Sequence, residues 1–153
     1  MSNGTESGLI IGVGNEFRGD DALGLIAARM LAEAGISCTI VESTGGANLM
    51  DEWRGASSLI VIDAVCSGAA PGTIHRWDAN RQELPERMFP TTHDFGLAEA
   101  VEMSRILREL PPEFLIFGIE AAQFDMGAPL SPEVQSALPV LVNEILLYQN
   151  GES

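Results

Sequence analysis

Two carboxylates and an imidazole stand out along the chain: Glu16, Asp63 and His93. Glu16 follows a short apolar run closed by Gly14 and Asn15. Asp63 stops the run Leu59-Ile60-Val61-Ile62. His93 lies in Thr91-Thr92-His93-Asp94-Phe95-Gly96, ahead of a helical period. Strand ends converge in a parallel sheet, and these three side chains would converge with them. Such a mix of oxygen and nitrogen donors suits a borderline divalent ion, with positions left open for water or substrate. The same residues also fit a purely structural arrangement. Glu16 would then be solvated, Asp63 would satisfy loop amides, and His93 would stand beside a helix start. Spacing alone does not choose between the two.

Other chemistries find less support. Gly12-Val13-Gly14 after a strand, with Glu42 ending the next one, has the outline of a dinucleotide site. The third glycine is missing, because Phe17 stands there. Glu16, Asp20 and Asp21 would also repel a pyrophosphate that a helix N-terminus otherwise attracts. There is no HExxH and no GxSxG. A Ser/His/Asp triad stays open, since geometry rather than order defines one. Cys38 and Cys66 have no zinc-ribbon spacing and read as free thiols. His75, Trp53 and Trp77 read as packing or surface residues. Asp20 and Asp21 read as helix caps or as contacts to a substrate. Gly14, Gly45 and Gly46 would let the backbone approach a substrate closely.

Composition narrows the field. The 153 residues carry 22 acids against 8 bases, every base is Arg, and the formal charge is −14. Without Lys there is no Schiff base and no P-loop. The negative charge argues against nucleic acid and anionic membrane, which bind through Lys and Arg. The first eight residues lack the pattern of a signal peptide, and no apolar run nears the ~18 residues that span a bilayer. The expectation is a cytoplasmic protein of one domain, residues 1–153, with flexible ends at 1–8 and 151–153.

These residues need elements to position them. Strands are expected at Leu9–Gly14, Ile36–Glu42, Leu59–Asp63 and Glu113–Ile119, with an edge strand at Thr73–Trp77. Helices are expected at Asp21–Ala34, Ala47–Trp53 and Asp94–Leu110. A last helix opens at Ser131-Pro132 and runs to about Asn150, with Pro139 kinking it or splitting off its first turn. The stretch Asp78–Thr92 reads as a loop that could cover a cleft. Strands alternating with helices imply an α/β fold. It would be a three-layer, doubly wound, mostly parallel twisted sheet of about five strands, with helices on both faces.

The ordered motifs resemble one family. Gly12-Val13-Gly14-Asn15-Glu16-Phe17-Arg18-Gly19-Asp20-Asp21-Ala22-Leu23-Gly24 is similar to the N-terminal signature of the nickel–iron hydrogenase maturation proteases. The resemblance continues through Thr44-Gly45-Gly46, Val61-Ile62-Asp63-Ala64-Val65, Thr92-His93-Asp94-Phe95-Gly96-Leu97, Gly118-Ile119-Glu120 and Leu130-Ser131-Pro132-Glu133-Val134. Ala121 departs from it, where many relatives carry proline. The resemblance implies an endopeptidase, classed as aspartic-type. It would remove a C-terminal extension from a hydrogenase large-subunit precursor once nickel is inserted. Glu16, Asp63 and His93 would contact the metal and serve catalysis, and Asp20, Asp21, Gly45 and Gly46 would contact the substrate. The metal is expected to be nickel, supplied by the precursor or held here, with no nucleotide, and the protein to act as a monomer. A non-catalytic, metal-dependent checkpoint chaperone for the precursor is the competing reading, and a nucleotide-dependent α/β enzyme is the third.

Overall fold

The computed structural model describes residues 8–46, 48–85, 88–90 and 96–151. Five strands form one sheet: β1 (Gly8–Val13), β2 (Thr39–Ser43), β3 (Ser58–Val65), β4 (Ile74–Asp78) and β5 (Glu113–Glu120). Their order is β2-β1-β3-β5-β4, and every pair is parallel except β4 with β5. The central strands are apolar throughout because both of their faces are covered. Ile60, Ile62 and Ala64 of β3 join one core, while Leu59, Val61 and Val65 join the other. Helices α1 (Leu23–Glu33) and α4 (Pro132–Gln149) cover the first face. Helices α2 (Asn48–Trp53) and α3 (Leu97–Ile106) cover the second. This is the expected three-layer α/β architecture.

Several boundaries differ from expectation, each for a local reason. The first helix starts at Leu23, because Gly19–Ala22 forms a 3-10 turn, and neither Asp20 nor Asp21 caps it. β2 begins at Thr39 rather than Ile36, and β3 runs two residues past Asp63. α3 starts at Leu97, where the Glu99 carboxylate accepts from the Gly96 N–H at 2.9 Å. It stops at Ile106, well before Pro111. Arg108 takes a left-handed φ of 60°, and the Glu109 N–H closes back on the Ser104 carbonyl at 2.8 Å. That is the Schellman closure, with Arg where glycine is usual. α4 has Ser131 as its N-cap, accepting from the Val134 N–H at 3.3 Å, and Pro132 in its first turn. The helix continues through Pro139 rather than dividing, since that side is exposed and water can serve the freed carbonyl.

The glycines of the first motif bring α1 against the sheet. A Cβ on Gly12 would stand 2.1 Å from the Gly24 carbonyl oxygen, and one on Gly24 would stand 2.3 Å from that of Val13 and 2.5 Å from that of Ile62. All three obstacles are backbone and cannot rotate away. Gly24→Ala is therefore expected to lift α1 from β1 and β3 at a cost of about 2–3 kcal/mol. Thermal or urea denaturation checks this, and a loss below ~0.5 kcal/mol would mean that the helix shifts freely.

Of the ends expected to be flexible, residues 1–7 and 152–153 lie outside the described residues, while Gly8 already belongs to β1. Among the described residues no helix is long and apolar enough to cross a membrane.

Candidate functional site

The chain reverses its direction of sheet growth beside β1, with β2 on one side and β3 on the other. Ligands of open α/β sheets gather at the carboxyl ends of strands around such a switch point. A cleft of about 330 Å³ lies there, lined by Gly14, Asn15 and Asp21, by Thr44-Gly45-Gly46, and by Asp63, Pro90, Gly96 and Leu97.

Asp63 owes its position to the register. The β1–β3 pairing ends at Gly12 with Ile62, so Asp63 is the first β3 residue beyond it. Its side chain looks into the cleft and is only 2% exposed as a residue. The Ala64 N–H donates to its Oδ1 at 2.8 Å. Burial pushes its carboxyl well above the usual range, and the neighbouring charge of Asp21 adds to the effect. Burial likewise raises Asp21 to about 6, against the opposing pull of the Arg18 cation and the Asn15 amide. Two acids in one low-dielectric cleft resist ionising together.

The floor opposite is backbone. Gly45 and Gly46 have φ values of 86° and 78°, the left-handed region that side chains strain to adopt. The Gly45 N–H donates to Ser43 Oγ at 3.0 Å, and the Gly46 carbonyl starts α2 by accepting from Leu49. The glycine pair thus turns the chain sharply and leaves bare peptide facing the carboxylates.

The other expected residues are distributed differently. Glu16 stands in an adjoining compartment of about 470 Å³, with Phe17, Leu25, Glu42 and Ser43. The two compartments share Gly14, Asn15 and Thr44. The Glu16 side chain is 51% exposed and meets Arg29 Nη2 at 3.4 Å. His93 lies outside the described residues, although Pro90 and Gly96 on either side of it both line the cleft. Among the described residues, no three His, Cys, Asp or Glu side chains gather as a metal-holding group. The cleft itself brings two carboxyl groups together, those of Asp21 and Asp63.

Asp20, grouped with Asp21 at the substrate by the sequence reading, stands apart from the cleft. It is fully buried. Its Oδ2 accepts from the Ala122 N–H and the Ser131 hydroxyl, and its Oδ1 from the Ser131 N–H, all at 2.8 Å. Asp20 is a clamp between the β1–α1 turn and the loop before α4. Its neighbour Asp21 is the one in the cleft.

Three further residues stand out: Glu120, already in the motif Gly118-Ile119-Glu120, Glu42, already in the dinucleotide outline, and Arg29, which carried no signal in the sequence. Glu120 is buried at the end of β5. Its carboxylate accepts from the Ser67 N–H at 2.8 Å, the Ser67 hydroxyl at 2.6 Å and the Gly68 N–H at 3.2 Å, and meets His75 Nε2 at 3.1 Å. Burial alone would raise its pKa, but these donors hold it below the usual range. Ser67 therefore donates to a carboxylate rather than to an imidazole, and the Ser/His/Asp option gains nothing here. Arg29 and Glu42 are the other two. The Arg29 Nε and Nη2 both donate to Glu42 at 2.8 Å, and that fork lowers the Glu42 pKa.

Comparison with known proteins gives the family and the fold. The Escherichia coli hydrogenase 2 maturation protease is 27% identical over 146 residues, covering 90% of this chain and 87% of that one. The hydrogenase expression/formation protein HupD of Thiocapsa roseopersicina is 27% identical over 92% of this chain, which spans 66% of the HupD length. Among solved structures, the hydrogenase maturating endopeptidase HybD from E. coli superposes with a TM-score of 0.74 at 22% identity, covering 94% of this chain and 93% of that one. The NiFe hydrogenase maturation protease HybD from Thermococcus kodakarensis gives 0.70 at 27% identity, covering 91% and 96%. The family model described as HycI, hydrogenase maturation protease, matches residues 27–147, and the chain belongs to the hydrogenase maturation protease family, a family of peptidases.

Proposed function

We propose that this protein is an endopeptidase that removes the C-terminal extension of a nickel–iron hydrogenase large-subunit precursor after nickel insertion. The observation that carries the proposal is buried Asp63, paired with Asp21 in a cleft at the sheet's switch point. The metal belongs to the substrate in this reading. Nickel held by the precursor is recognised by Glu16, Asp63 and His93, whose oxygen and nitrogen donors suit it. Buried carboxylates attract a metal-loaded precursor more strongly than an empty one, which makes cleavage conditional on loading.

The remaining chemistry falls to Asp21 and the backbone. The scissile peptide lies along Gly45 and Gly46, where no side chain intervenes. With Asp63 given to the metal, Asp21 can accept a proton from the attacking water and return it to the leaving amine, a role for which a pKa of about 6 is well placed. The partner is the nickel-loaded precursor.

The test mixes purified protein with nickel-loaded and nickel-free precursor and follows the large subunit by mass spectrometry. Shortening of the loaded precursor alone is expected. Asp63→Ala, Glu16→Ala and His93→Ala should each slow it about 100-fold or more while leaving the fold intact. Stable binding without truncation would instead identify a non-catalytic checkpoint chaperone.

A further inference from the structure

We infer that Arg29 is a positioning residue for Glu16, and that Glu42 is the anchor that makes it one. The three residues come from three elements: Glu16 from the β1–α1 loop, Arg29 from α1 and Glu42 from β2. Glu16 and Glu42 both line the compartment next to the Asp63 cleft.

The geometry is asymmetric. Arg29 gives Glu42 two contacts of 2.8 Å, a planar fork that fixes the guanidinium in orientation as well as position. To Glu16 it gives one contact of 3.4 Å, from Nη2 to Oε1. The long, single contact leaves the second Glu16 oxygen to face a ligand. Arg29 therefore stands to Glu16 as an outer partner stands to a ligating carboxylate, restricting its rotamers without using it up. Glu42 makes the arrangement durable. It neutralises the guanidinium, so Arg29 neither needs Glu16 as a counter-ion nor competes for it at full strength.

Stability does not account for the network. All three side chains are close to half exposed, and ion pairs of that kind add little to stability. Its effect is on where one carboxylate stands.

The inference rests on the reading of Glu16 as a substrate-contacting residue, and the experiment separates the two. Cleavage of nickel-loaded precursor is measured for Arg29→Lys, Arg29→Gln, Glu42→Gln, the Arg29→Gln/Glu42→Gln pair and Glu16→Gln. Positioning predicts that the three single changes at 29 and 42 all lower kcat about tenfold with KM unchanged. The pair should lose no more than Arg29→Gln, because its members act in one chain. In the free protein, the Glu16 side-chain carboxyl carbon should show one sharp NMR resonance, shifted or broadened in Arg29→Lys and Glu42→Gln. A mere field effect predicts otherwise: Arg29→Gln and Glu42→Gln would act with opposite signs and Arg29→Lys would be silent. That pattern overturns the inference, as does wild-type behaviour in all of them beside an inactive Glu16→Gln. A fully active Glu16→Gln removes the underlying reading of Glu16 and the inference together.

Discussion

Asp20→Ala is expected to destabilise the protein by about 3–5 kcal/mol, although Asp20 lies outside the cleft. The change deletes three hydrogen bonds of 2.8 Å to a fully buried carboxylate. Bonds to charged groups contribute ~1.5–3 kcal/mol each and are not additive. The donors left behind, the backbone N–H groups of Ala122 and Ser131, are stranded at the join between two loops. For a chain of this length the loss corresponds to a melting temperature lower by about 10 °C. Asp20→Asn should fall between the two, since one amide oxygen still accepts while its NH2 faces a donor. Because Asp21 is the next residue, cleavage should fall with stability even at temperatures where the variant remains folded. Thermal denaturation followed by circular dichroism checks the first effect. A loss under ~1 kcal/mol would show that water replaces the carboxylate.

Asp21→Asn and Asp63→Asn are expected to act in the opposite direction on stability, and only above mildly acidic pH. Both acids cost more to ionise in the folded protein than in the unfolded chain. Below about pH 4 neither charge forms and burial costs nothing. As pH rises toward 6 the unfolded chain ionises first, protons are released on unfolding, and stability drains away. For Asp21 the loss runs over the interval from 3.8 to about 6 and is complete above pH 6. Asp63 lies deeper, and its cost continues to grow at higher pH. Each amide variant should therefore match the parent near pH 3.5 and exceed it at pH 8. The same Asp63→Asn protein should not cleave. Equal stability of parent and variants at pH 8 would remove the buried-charge account. A gain in stability joined to a loss of cleavage would mark these carboxylates as strain maintained for function.

Much of this was legible in the sequence, for an identifiable reason. β1, β3, β5 and α4 are long, apolar and bounded by Gly, Asn or Pro, and burial on both faces writes itself into consecutive residues. Asp63 was visible on the same ground, as a carboxylate stopping an apolar run. Strand ends were less visible: β3 continues beyond Asp63 through Ala64 and Val65, and β2 starts late because Ile36 and Cys38 pack without pairing. Asp20 and Asp21 show the limit most clearly. They are identical and adjacent, yet one is a clamp and the other lines the cleft. What separates them is Ser131, a partner 111 residues away, which no local period encodes. Arg29 was hidden in the same way, since its two carboxylates belong to other elements.

The bond from Asp20 to Ser131 also orders events in time. The segment that carries Asn15, Glu16 and Asp21 leaves the ribosome 111 residues ahead of the fixed partner of Asp20. Domains form as synthesis proceeds, at ~5–20 residues per second. The β1–α1 loop must wait for residue 131 before it reaches its final shape, and α4 follows directly behind. A partly made chain thus holds most of its sheet but an unfinished cleft. The cleft reaches its final shape only once synthesis has passed residue 131.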